Sequence, residues 1–152
     1  MAQVAGRAGR KNRQGRVMIQ AYNVSHPILA MVVQHDYMAM YHSQLAEREQ
    51  FNYPPFCRIV QLSLRHVNAD LINKAADELA KSLRGLFGKR VLGPEYPTVS
   101  RIRNQYLKNV LLKFEKGIPL PKAKDEIRNA IVKLNANPDF KQVRVLIDVD
   151  PV

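Results

Sequence analysis

Hydrophobic and polar positions change their period several times along the chain, and each change marks an element. Over Cys57–Arg65 apolar residues alternate, with Val60, Leu62 and Leu64 on one side of a predicted strand. Asn68 can then cap a helix in which Leu71, Ala75, Leu79 and Leu83 share a face, widened by Ile72 and Leu86 and stopped by Gly88. Lys89–Leu92 reads as a short strand running into Gly93-Pro94. Gln105–Phe114 reads as a longer strand with Val110, Leu112 and Phe114 on one face. Pro121 opens a second helix carrying Ile127, Ala130, Ile131 and Leu134, and Asn137-Pro138 ends it. Val143, Val145, Ile147 and Val149 alternate through a last strand before Pro151.

The order strand, helix, strand, strand, helix, strand predicts an α+β domain of ferredoxin-like β-α-β-β-α-β type. Its four-stranded antiparallel sheet would carry both helices on one face and leave the other open. Ahead of it, Arg16–Tyr22 reads as a short strand. A helix starts at Ser25-His26-Pro27 and continues, with a break near Asp36, to about Gln50. The double proline in Phe51–Phe56 stops it, so the domain boundary is placed there: residues 1–50, then 51–152.

Composition adds exclusions. With 152 residues, 46% hydrophobic and 24% charged, the chain is ordinary for a globular protein, and disorder, collagen and coiled coil are poor descriptions. No apolar run approaches the ~20 residues of a membrane-spanning helix. The polar, Arg-rich beginning lacks the apolar stretch of a secretory signal, and no membrane partner is expected. The single cysteine, Cys57, excludes an internal disulfide and a zinc site of several thiolates, and agrees with a cytoplasmic setting. His26, His35, His42 and His66 lack metal-ligand spacing. Asp148 and Asp150, two apart near the end of the last strand, have no third acid near them in sequence, so a structural pairing with basic residues is expected rather than a metal site.

Charge is more informative. Lys and Arg number 24 against 13 acidic residues, a formal net charge of +11, which favours polyanionic partners and nucleic acid first among them. One block, residues 1–16, holds Arg7, Arg10, Lys11, Arg13 and Arg16 and no acid. A second runs from Arg84 to Lys116, with only Glu95 and Glu115 against its cations. Within it Arg101 and Arg103 stand near Tyr106, which can stack on an unpaired base, and Lys89, Arg90 and Lys108 can hold phosphates without reading sequence. Those residues are the expected DNA contacts.

The most specific stretch is Gln3-Val4-Ala5-Gly6-Arg7-Ala8-Gly9-Arg10. Two arginines three apart, each preceded by glycine, set planar donors beside backbone that can approach phosphate closely. The stretch resembles motif VI of superfamily 2 helicases, Q-x-x-G-R-x-G-R. Further along stand Tyr53-Pro54-Pro55-Phe56, Val91-Leu92-Gly93-Pro94, Arg101-x-Arg103-x-x-Tyr106, Leu111-Leu112-Lys113 and Asp148-Val149-Asp150-Pro151. Together these resemble the C-terminal part of the PriA family of bacterial primosomal replication-restart helicases.

The resemblance implies a 3′-to-5′ DNA helicase that recognises stalled forks, with a C-terminal domain binding branched or single-stranded DNA. It implies that Gln3, Arg7 and Arg10 contact ATP in the intact enzyme, with Arg10 as the arginine finger. It implies ATP, Mg²⁺ and a zinc-binding segment upstream, and partners that include single-strand DNA-binding protein and other primosome proteins. The chain has Leu107 and Lys108 where that family commonly has an arginine and an aromatic. No G-x-x-x-x-G-K-[ST] loop occurs, so the chain is expected to be a truncation that is neither an ATPase nor a helicase alone. The alternative from the residues themselves is a stand-alone basic module binding RNA or ribosomes through the same sheet.

Overall fold

A computed structural model describes residues 16–151. The chain forms two compact units, Met1–Phe51 and Asn52–Val152.

In the first unit, α1 (Pro27–Val33) and α2 (Tyr37–Gln50) follow one another. The start expected at Ser25 falls one residue later. The His26 imidazole accepts the Ile28 N–H at 3.3 Å, and Pro27, which has no N–H to satisfy, takes the first helical position. The chain breaks at His35, whose φ is 55°, and restarts where the Asp36 carboxylate accepts the Ala39 N–H at 2.9 Å. Neither helix fully buries a side chain. The strand expected over Arg16–Tyr22 is absent. A β-rich composition makes a strand only where a neighbour takes up its N–H and C=O groups, and no described strand pairs with this segment.

The second unit is α+β: an antiparallel sheet of five strands and two long helices. The strands are β1 (Cys57–His66), β2 (Val91–Glu95), β3 (Arg101–Ile102), β4 (Gln105–Glu115) and β5 (Arg144–Val149). The sheet order is β2-β4-β1-β5, with β3 also paired to β4. Since β1 lines one edge of β4 from Tyr106 to Glu115, β2 and β3 share the other edge in succession. One expected strand position is therefore split into two. Residues 96–100 interrupt this edge between the two, and within β2 the register against β4 shifts at Gly93, whose φ is +86°. A Cβ there would lie 2.9 Å from the Asn109 carbonyl oxygen, so only glycine lets the two backbones meet. The strand expected over Lys89–Leu92 also moves. Gly88–Arg90 is a 3₁₀ turn after α3 (Ala69–Phe87), and β2 begins at Val91.

Helix α3 starts at Asn68, whose side-chain oxygen accepts the N–H groups of Asp70 and Leu71 at 2.9 and 3.0 Å. Its inner face buries Ile72, Ala75, Ala76, Leu79, Ala80 and Leu83. Helix α4 (Leu120–Ala136) adds Ala123, Ile127, Ala130 and Leu134. Both meet Val60, Leu62 and Leu64 of β1 and Val110, Leu112 and Phe114 of β4 in one continuous core, so both lie on the same face of the sheet. The other face carries the alternate residues: Gln61, Ser63 and Arg65 of β1, Leu107, Asn109, Leu111 and Lys113 of β4, and Arg144, Leu146 and Asp148 of β5.

Candidate nucleic-acid interface

The structure distributes the sequence-derived basic candidates over two ends of β4, which spans about 34 Å at ~3.4 Å per residue. Near its end, Arg90 sits on the 3₁₀ turn and grips the Glu115 carboxylate through Nε at 3.0 Å and a terminal nitrogen at 2.9 Å. That bond holds the Glu115 carboxyl below its ordinary pKa. The adjoining Lys89 is exposed and lines the same shallow hollow as Arg90, Lys113 and Glu115. Charge at this end is partly neutralised within the protein.

Near the start of β4 the picture differs. Arg103 and Asn104 form the two-residue connection from β3 to β4, both with positive φ (48° and 62°), the conformation such hairpins require. The turn holds Arg103 outward, exposed. Arg101 lies with its guanidinium 5.0 Å from the centre of the Tyr106 ring and donates to the Asn104 side chain. Tyr106 is half-buried against the core. Lys108 points to the helix side, where its Nζ donates to Asn73 Oδ1 of α3 at 2.8 Å and sits 4.1 Å from the Tyr96 ring centre. Asn73 Oδ1 also accepts the Tyr96 hydroxyl at 2.8 Å, fixing the ring under the ammonium. Arg101, Arg103, Tyr106 and Lys108 thus gather at one end; Lys89 and Arg90 do not join them.

Two further cations, not among the expected contacts, stand over rings: Lys113 Nζ is 4.1 Å from the Tyr53 ring centre, and Lys116 Nζ is 5.9 Å from that of Phe56. Their partners lie in the Tyr53–Phe56 segment, far away in sequence, so neither spacing nor period could have paired them. Across the open face, Ser63 Oγ donates to Asn109 Oδ1 at 2.9 Å and accepts from Gln61 Nε2 at 3.2 Å. With Leu92, Gly93, Glu95, Tyr96–Thr98, Leu111 and Lys113 these strands border a shallow cleft of about 590 Å³.

The remaining candidates are structural where they are described. Asp150, at φ 51°, accepts the Ile59 N–H at 2.9 Å and an Arg58 N–H at 2.8 Å, which together hold its carboxyl below the ordinary pKa. Asp148 does not join it. Cys57 is buried, its Sγ donating to the Asn52 carbonyl at 2.7 Å, and burial pushes its thiol pKa up. No group of three or more His, Cys, Asp or Glu able to hold a metal occurs among the described residues. No helix among them is long and apolar enough to cross a membrane. Gln3, Arg7 and Arg10 lie outside the described residues.

Comparison with known proteins decides the family. A profile of the primosomal protein N C-terminal domain matches residues 49–152, most of the chain. The chain belongs to that family. Its homologues include the replication restart protein PriA of Haemophilus influenzae, 32% identical over 98% of this chain and 20% of the relative. PriA of Synechocystis is 30% identical over 100% of this chain and 18% of the relative, and PriA of Bacillus subtilis 27% identical over 99% and 19%. The chain spans about a fifth of the length of these relatives. Tyr53-Pro54-Pro55-Phe56, Gly93-Pro94 and the β3–β4 hairpin therefore belong to the primosomal domain itself, while residues 1–48 precede the family match.

Proposed function

We propose that the chain is the C-terminal portion of a bacterial replication-restart DNA helicase of PriA type, and that residues 51–152 bind branched or single-stranded DNA. The observation that carries this is the set of four cations standing over aromatic rings, Arg101/Tyr106, Lys108/Tyr96, Lys113/Tyr53 and Lys116/Phe56, spread along β4 and its flanking loops. Interleaved cations and rings suit a polymer that is both anionic and built of stacking bases. On this reading the sheet is a ferredoxin-like one in which β2 and β3 occupy a single strand position, and Arg101, Arg103, Tyr106 and Lys108 make the principal contact, with Lys89 and Arg90 at its far margin.

Residues 1–50 read as the closing part of the second helicase lobe, with Gln3, Arg7 and Arg10 reaching the ATP phosphates in the intact enzyme. The exposure of Met38, Tyr37 and Val33 on α1 and α2 supports a segment that finishes its packing against more protein. Arg10→Ala in the full-length protein is expected to lower ATP hydrolysis by about a thousandfold or more.

The test is fluorescence anisotropy of the chain with forked, single-stranded and duplex DNA and with a structured RNA, across a KCl series. Preference for forked or single-stranded DNA, with a log–log salt slope of about −3 to −4 for ~4–6 phosphates, supports the reading. Preference for the RNA overturns it in favour of a ribosome- or RNA-binding module.

A further inference from the structure

Arg65 and Arg144 face each other directly across the β1–β5 ladder, on the open side of the sheet. Like charges in that position repel, and natural sheets usually place an acid or a neutral group opposite an arginine. Here Leu107 of β4 occupies the other side of Arg65 in the same row, and it is buried although it lies outside the main core. Arg65 thus has an apolar neighbour in the ladder, and its Nε is buried without an acceptor among the described residues. Neither arginine has a carboxylate within 4.0 Å among them. The next acid along β5 on this face is Asp148, about 13 Å away at ~3.3 Å per residue.

We infer that Arg65 and Arg144 form a clamp for a backbone phosphate of a single-stranded nucleic acid crossing the open face. The inference rests on the nucleic-acid reading above but names a separate place on the domain. A phosphate between the two side chains places negative charge where two guanidinium groups oppose one another, and their planar donors suit its oxygens. Ser63 and Asn109, in the next row beside Leu146, extend a neutral polar surface from the clamp, up to the row in which Gln61 stands opposite Asp148. The site was invisible in the sequence because the two arginines belong to strands at opposite ends of the domain.

A clamp and a structural pair respond oppositely to charge reversal. In the free protein, Arg144→Glu replaces a repulsion with an ion pair to Arg65, so thermal melting at low salt is expected to rise by a few degrees. Anisotropy with a 15-nucleotide dT strand is expected to show at least a tenfold loss of affinity for the same variant. Arg65→Gln and Arg144→Gln are each expected to weaken binding and to make the salt slope shallower, by about 0.7 per lost phosphate contact, while Arg144→Lys retains most of the affinity. Binding of Arg144→Glu within twofold of the wild type overturns the clamp and leaves the wider DNA reading standing. A lowered melting temperature accompanying lost binding also overturns it, since the pair would then be structural. Absence of wild-type binding to dT and to forked DNA alike removes the DNA reading, and the clamp with it.

Discussion

The two faces of the sheet are built from the same strands, with neighbouring residues sent to opposite sides, and they obey different physics. On the covered face Leu62, Leu64, Val110 and Leu112 are fully buried, and the helices match them with aliphatic and small side chains. On the open face the same strands carry Ser63, Arg65, Asn109 and Arg144, and cations stand opposite one another. The covered face is arranged for stability, and the open face retains local conflicts that a bound anion would relieve. Such conflicts persist in folded domains mostly where they serve binding, because elsewhere they only subtract from a small net stability.

The contrast is open to attack by substitution. Leu62→Ala removes a fully buried side chain and is expected to destabilise the domain by about 2–5 kcal/mol in urea denaturation. Ser63→Ala, one residue away on the other face, should cost about 0.5–1 kcal/mol for the lost bond to Asn109. Comparable costs at the two sites would end the distinction between the faces.

Gly93→Ala tests whether the shifted register of β2 depends on backbone approach. With a Cβ 2.9 Å from a carbonyl oxygen at positive φ, a loss of about 1–3 kcal/mol is expected, with chemical-shift changes centred on Asn109 and Glu95.

Asp150 sharpens the comparison through pH. Its carboxyl is held below the ordinary value of about 3.9 by the Ile59 N–H and Arg58. The unfolded chain therefore takes up the proton first as pH falls. The contribution is complete above about pH 4 and disappears as pH drops through the lowered folded value. Asp150→Asn should cost about 1 kcal/mol at pH 7 and flatten the wild-type loss of stability below pH 4, measured by denaturation midpoints across pH.

The smallest effect belongs to Arg90. Its exposed pair with Glu115 adds little to stability, and Arg90→Gln should change DNA affinity less than Arg101→Gln, because its charge is already opposed. An equal loss from both would mean that the far end of β4 contributes as much as the near end.

Much of the fold was legible from period alone. The capped start of α3 at Asn68, the alternation in β1 and β4 and the helix opening at Pro121 are local signals, and local physics reads them correctly. The misreadings share a different cause. Arg16–Tyr22 has the composition of a strand but no partner among the described residues, and Lys89-Arg90 lies where a glycine at positive φ turns the chain before the strand begins. The short β3 hides in what reads as loop because two residues carry too little pattern.

For the candidate interface, the sequence located the basic, aromatic neighbourhood of Arg101 to Lys108 but not how its charges are used. Only the tertiary structure set Arg90 against Glu115, turned Lys108 toward Asn73, and brought Arg65 opposite Arg144. Which side of an element is apolar follows from covalent spacing of three or four residues and is written along the chain. Which charge meets which depends on strand register between distant segments, and register is fixed only when the whole core packs.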